Sequence, residues 1–220
     1  MAFLKKIERL WLKFKIWAEV NIRILLIKTI RFFSQAKIPQ AADGKLNLHL
    51  GCGKISHPKF INIDVYPYPY VHYVQGIDRL DRFTDSTVDL IYASHCLEHF
   101  KYTHTLIVLK EWNRVLKKGG ILRLAVPDFD KLIFIYSDNN NDPDAILPQL
   151  MGGQENKYNF HLTALSRVNL SKLLSEAGFS HVRDWIPGSN DLSSFDDMSI
   201  YQKEINGKSY EVSLHIEAEK

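Results

Sequence analysis

Leu46-Asn47-Leu48-His49-Leu50-Gly51-Cys52-Gly53, followed after Lys54 to Lys59 by Phe60-Ile61-Asn62-Ile63-Asp64, is the stretch on which the fold turns. An apolar strand runs into a glycine turn, and a second strand ends on an acid. A glycine turn at the carboxyl end of a parallel strand lets backbone approach a ligand with no Cβ in the way. A carboxylate one strand over can then accept both hydroxyl hydrogens of a ribose. Gly-x-Gly alone is weak evidence for a nucleotide site, and its weight comes from the motifs farther along the chain.

Downstream, Val88-Asp89-Leu90-Ile91-Tyr92-Ala93 reads as a buried strand and is followed by Ser94-His95-Cys96-Leu97-Glu98-His99-Phe100. A helix from about Thr103 to Leu116 then leads to the strand Ile121–Val126 and to Pro127-Asp128. In this order, LGCG, VDLIYASHCLEHF, RVLKKGGILRLAVPD and the later Leu173-Leu174-Ser175-Glu176-Ala177-Gly178-Phe179 resemble class I S-adenosylmethionine-dependent methyltransferases. The resemblance spans roughly residues 45 to 186. It extends to a compact branch, similar to type 11 methyltransferases, that is often linked to surface-polysaccharide synthesis. It implies an α/β, Rossmann-like sheet, mostly parallel, with an antiparallel C-terminal strand.

The chain departs from the family at two places. His49 stands where the family usually has Asp or Glu, and Ile55 where it has a third glycine. Lys54 to Lys59 is also too short for a crossover of a dozen or more residues containing a helix. The expectation is a shortened first crossover and a more open cofactor pocket.

Other elements are read from local signals. Tyr70 to Val74 is a short third strand, and a helix passes through Lys131 to Tyr136 before the polar Ser137–Asp144 turn. Arg167 to Ala177 is a helix stopped by Gly178, and His181 to Ile186 is a strand. Ser209 to Ala218, alternating through Tyr210, Val212, Leu214 and Ile216, is a terminal strand with one buried face.

At 220 residues and 45% apolar content the chain can bury a full core. Its two cysteines, Cys52 and Cys96, make a disulfide framework a poor reading and favour a reducing, cytoplasmic setting. The histidines are dispersed without the spacing of a zinc site, so no metal is expected.

The net charge of +3 is uneven. Residues 1–40 carry nine Lys or Arg against Glu8 and Glu19, net +7, leaving 19 against 23, net −4, for the other 180. Phe3, Ile7, Leu10, Phe14 and Trp17 recur at helical spacing in that segment, with Lys5, Lys6, Arg9 and Lys13 between them. No run reaches the ~18 apolar residues needed to span a bilayer, and a signal peptide fits poorly. Two units are therefore expected: 1–40, a basic amphipathic helical segment, and 41–220, a methyltransferase-like domain. The segment suits the headgroup layer of an anionic membrane at the inner face. A lid on the domain or a homo-oligomer seam are its competing readings. Nucleic acid is disfavoured, because the domain's own negative charge opposes phosphate.

The resemblance assigns S-adenosylmethionine as cofactor. Its expected contacts are His49, Gly51, Cys52, Gly53, Asp64, Ile77, Asp78, Ser94 and His95. Asp64 binds the ribose or caps the following Tyr66–Pro69 turn. Ile77 and Asp78 read the adenine or form a solvated turn. His99, within the Leu97-Glu98-His99 motif, and His161 are the catalytic candidates, since histidine titrates near neutrality. The alternative for His99 is ordering of its loop, and for His161 a solvent-facing place. The expected reaction moves a methyl group to a small-molecule, saccharide or lipid-linked acceptor. Two other classes stay open: a catalytically degenerate binding module that keeps the fold, and a nicotinamide-dependent oxidoreductase. Against the second, Ser56 occupies the third glycine position of Gly-x-Gly-x-x-Gly.

Overall fold

The structure, a computed structural model, describes residues 44–220 and six positions nearer the N-terminus: Trp11, Lys15, Ile22, Leu25, Leu26 and Thr29. Those six are helical and exposed. The remainder of the basic 1–40 segment, and with it the expected amphipathic helix as a whole, lies outside the described residues. No helix among the described residues is long and apolar enough to cross a membrane.

Within residues 44–220, nine strands and four α-helices occur in chain order: β1 (Asn47–Leu50), β2 (Ile61–Asp64), β3 (Tyr73–Val74), β4 (Val88–Ser94), α1 (Thr105–Val115), β5 (Leu116–Pro127), α2 (Phe129–Asp138), α3 (Leu147–Met151), α4 (Arg167–Glu176), β6 (Ser180–Asp184), β7 (Gln202–Ile205), β8 (Lys208–Glu211) and β9 (Ser213–Glu219). Seven strands form one sheet in the order β3-β2-β1-β4-β5-β9-β6. The pairs of β1 with β2 and β4, of β2 with β3, and of β4 with β5 are parallel, and β9 is antiparallel to both β5 and β6. Because β1 is flanked by β2 on one side and β4 on the other, its carboxyl end is the point where the strand order reverses. Ligands of open α/β sheets bind there.

Side chains alternate across the sheet. Leu48, Leu50, Ile91, Ala93, Leu122 and Leu124 face α1 and α4, and pack with Trp112, Leu170 and Leu174 into the main core. Ser166 starts α4 with a reciprocal capping box to Asn169, and Gly178, at φ 94°, ends the turn after it. The opposite face carries Leu90, Tyr92 and Ala125 with Phe60, Trp185 and Phe195. No α-helix contributes to that cluster among the described residues; the segment between β6 and β7 crosses it.

The shortened first crossover is present: the chain passes from Leu50 to Ile61 without a helix. Several boundaries differ from those read in the sequence, β6 among them, which runs Ser180–Asp184 rather than His181 to Ile186. The third strand starts at Tyr73 rather than Tyr70, because Val71 is drawn into a turn that closes on Tyr68 O. β5 starts at Leu116, where it meets Val88 ahead of an irregularity in the ladder. The terminal alternation is divided at Val212. β8 pairs with β7 through an Asn206-Gly207 turn, both residues at positive φ, while β9 joins the main sheet. Asp128 N donates to Val212 O at the division.

Candidate functional site

A cavity of about 410 Å³ opens at the strand-order reversal, within the usual range of roughly 300–1,000 Å³ for small-molecule sites. Strand ends supply its polar groups. Gly51 follows β1, Asp64 closes β2, and His95 and Cys96 follow β4. Ile77 and Asp78 enter from the β3–β4 connection, and Tyr66, Phe100, Lys157 and Tyr158 complete the wall.

Gly51 is required twice over. Its φ is 64°, and a Cβ there would stand 2.8 Å from Cys96 Cβ. Gly53, at φ 55°, has open space where a Cβ would lie, and its N–H donates to Asp64 Oδ2 at 2.8 Å. The other Asp64 oxygen accepts Tyr66 N–H at 2.7 Å. Two donors leave part of a carboxylate's roughly four acceptor positions for a ligand. Burial pushes the Asp64 carboxyl above its ordinary value, against the pull of the backbone donors of Tyr66 and Gly53. The adenine-side candidates are held by α1 and the turn before it: Trp112 Nε1 donates to Ile77 O at 2.7 Å, and His104 Nε2 lies 3.7 Å from Asp78.

Four of the expected cofactor contacts do not line this cavity. His49 turns onto the opposite face of β1, 1% exposed, with its ring centroid 4.9 Å from Phe195 and 5.1 Å from Tyr92. Burial lowers its pKa to about 4, so the ring is neutral at pH 7. Strand alternation is the reason. With Leu48 and Leu50 committed to the main core, the residue between them must face the other way. Cys52 is buried at the turn, Gly53 acts through Asp64, and Ser94 ends β4 outside the lining.

His95 adopts φ 48°, a left-handed conformation uncommon outside glycine, and this aims its ring across the floor of the site. Its Nε2 lies 2.8 Å from Ser213 Oγ, and its Nδ1 is 3.4 Å from Glu98 Oε1. The latter distance is too long for a well-formed hydrogen bond. Glu98, one residue before His99 in a single 3-10 turn, is 1% exposed. Burial pushes its carboxyl up, yet His95, His99 and His161 together hold it below the ordinary glutamate value.

The two catalytic candidates, 62 residues apart in the chain, meet here with ring centroids 5.0 Å apart and edge to face. A second cavity of about 300 Å³ adjoins the first. His95 and His99 line both, and His161, Gln149, Asn159 and Met198 line the second.

Sequence reasoning missed Lys157 and Tyr158 as wall residues and preferred a packing role for Tyr66, which also lines the cavity. Tyr158 sits edge-on to Tyr66, centroids 5.7 Å apart, so the loop after α3 roofs the site. A tyrosine in an otherwise polar loop was the one signal to be had. The dispersal of histidines along the chain likewise hid that Glu98, His99 and His161 bring ligand atoms within 4.8 Å of one another.

Comparison with known proteins agrees with this fold. Residues 48–124 match a protein family described as a methyltransferase domain. Among solved structures, the chain is similar to a SAM-dependent methyltransferase from Archaeoglobus fulgidus: 15% identity, TM-score 0.50, covering 89% of this chain and 93% of that one. It is also similar to a SAM-dependent methyltransferase from Methanosarcina mazei, at 19% identity and TM-score 0.50, covering 80% and 92%. No curated protein matches the sequence. At these identities the likeness establishes the fold: the chain has the Rossmann-like fold of class I methyltransferases. The matching domain and the shared fold together support S-adenosylmethionine as the cofactor.

Proposed function

We propose that the protein is an S-adenosylmethionine-dependent methyltransferase acting on a small-molecule, saccharide or lipid-linked acceptor. The observation that carries this reading is the cavity at the strand-order reversal, where a glycine turn, a buried carboxylate and an apolar wall converge. Asp64 accepts the ribose hydroxyls on the lone pairs that Gly53 and Tyr66 leave open. Ile77 lies against the adenine ring, Asp78 accepts from its amine, and Gly51 brings backbone to the methionine end, with His95 beside it. When bound, the cofactor supplies a methyl group already activated on a sulfonium, so the protein's task is alignment and desolvation. The acceptor enters the second cavity, and His99 and His161 act on it from the wall between the two. Residues 1–40 dock the domain on an anionic membrane surface, which suits a lipid-linked saccharide.

Calorimetric titration with S-adenosylmethionine and S-adenosylhomocysteine tests the cofactor site. Wild type binds both, and Asp64→Asn, which keeps the shape but weakens the acceptor, lowers affinity at least ~10-fold, the scale of one lost charge-assisted hydrogen bond. A well-folded wild type that binds neither would favour the degenerate binding module. Preference for a reduced nicotinamide would favour the oxidoreductase.

A further inference from the structure

The group around Glu98 has a hydrogen-bonding pattern that the cofactor cavity does not explain. Neither carboxylate oxygen of Glu98 has a well-formed hydrogen-bond donor among the described residues, although the side chain is only 1% exposed. A buried carboxylate without donors is costly unless a positive charge sits beside it.

The surrounding imidazoles are oriented so as not to supply donors when neutral. Phe160 O lies 3.1 Å from His99 Nδ1, and Gln149 O lies 2.8 Å from His161 Nδ1. A carbonyl only accepts, so each Nδ1 is assigned the proton and each Nε2 is left as a lone pair. His161 Nε2 is 3.9 Å from Glu98 Oε1. On the third side, Ser213 Oγ donates to Met198 O at 3.1 Å and therefore accepts from His95 Nε2. That leaves His95 Nδ1 as a lone pair facing the carboxylate. One ligand atom from each of Glu98, His99 and His161 thus lies within 4.8 Å of the others, and both histidines of the three are held at Nδ1 by a backbone carbonyl. Metal-binding histidines are oriented in this way, by a carbonyl or carboxylate on the second ring nitrogen.

We infer that Glu98, His99 and His161 form a binding site for a first-row divalent cation on the wall between the two cavities, with His95 adjoining it. Two imidazoles and one carboxylate suit zinc, manganese, cobalt or iron(II) rather than calcium or magnesium, which prefer all-oxygen sets. His95, His99 and His161 all line the second cavity, so the remaining coordination positions are open toward it. That position suits ordering an acceptor through an oxygen donor. This use, though not the binding, rests on the methyl-transfer reading.

The test is titration of the chelator-stripped full-length protein with Co²⁺, followed by calorimetry and visible absorption, and repeated with Zn²⁺ and Mn²⁺. One equivalent is expected to bind with a ligand-field spectrum that His99→Ala/His161→Ala abolishes. Glu98→Gln, which preserves volume, should weaken binding by more than the roughly 10- to 100-fold typical of losing an outer-shell partner. His181→Ala, at an exposed position beside Glu219, should leave it unchanged. Absence of stoichiometric binding to folded wild type would overturn the inference, as would binding that survives the double substitution. S-adenosylhomocysteine titration of the same metal-free sample separates the two readings. Cofactor binding without metal binding refutes the cation site alone, and metal binding without cofactor binding refutes the methyl-transfer reading alone.

Discussion

His49 occupies the place where an acid directed at the cofactor is expected, and its ring is instead enclosed by Phe60, Tyr92 and Phe195. Burial lowers its pKa from 6.5 to about 4, with Asp197 opposing and His57 assisting. Above pH 6.5 both folded and unfolded histidine are neutral and its burial carries no proton cost. As pH falls from 6.5 toward 4 only the unfolded chain takes up the proton, so stability is lost, by about 3 kcal/mol in full. Urea denaturation across that window should therefore show a shallower acid loss for His49→Phe than for wild type, and parallel curves would refute the assignment. The glycine turn offers a second contrast. Gly51→Ala meets both a left-handed φ and Cys96 at 2.8 Å, which should cost roughly 2–4 kcal/mol and cofactor binding with it. Gly53→Ala meets open space at a similar φ and should cost only about 1 kcal/mol. Denaturation midpoints of the two variants give the comparison directly.

At the scale of elements, the unusual feature is a sheet face covered by a connection instead of a helix. The first crossover is too short to lay one there. Phe195, 5% exposed, fills the space against Tyr92, their rings stacked with centroids 4.1 Å apart. Tyr92 Oη donates to Asp197 at 2.7 Å, and Trp185 Nε1 donates to Leu124 O at 2.8 Å. Both ends of the covering segment are thereby tied to the sheet. Phe195→Ala should lose about 3–5 kcal/mol as a large-to-small core change, read from the denaturation midpoint. A change below about 1 kcal/mol, the scale of a surface substitution, would mean that the segment is not part of the cooperative core.

For the whole molecule, charge is divided between a +7 segment at residues 1–40 and a −4 remainder. If the segment docks on anionic lipid, the full chain should sediment with anionic vesicles and not with zwitterionic ones. Raising salt should release it, since each basic residue near the surface contributes about 1 kcal/mol that ions screen. Equal partitioning onto both vesicle types would remove the electrostatic basis of the proposal.

The strand and helix segments, the glycine turn and the short first crossover were legible in the sequence, because each rests on local periodicity, turn chemistry or loop length; the mostly parallel sheet and its antiparallel last strand were expected from the family resemblance. Gly51, Asp64 and His95 could be named as neighbours because parallel strands deliver their carboxyl ends to one edge, while Ile77 and Asp78 were expected from the resemblance. Which face His49 takes was decided by its neighbours Leu48 and Leu50 entering the helix-covered core. The meeting of Glu98 with His161, and of Tyr66 with Tyr158, was decided only in three dimensions. Those pairs lie 63 and 92 residues apart, and no periodicity links them. What joins them is the return of the loop after α3 over the sheet edge, where Leu162 N–H donates to Glu98 O.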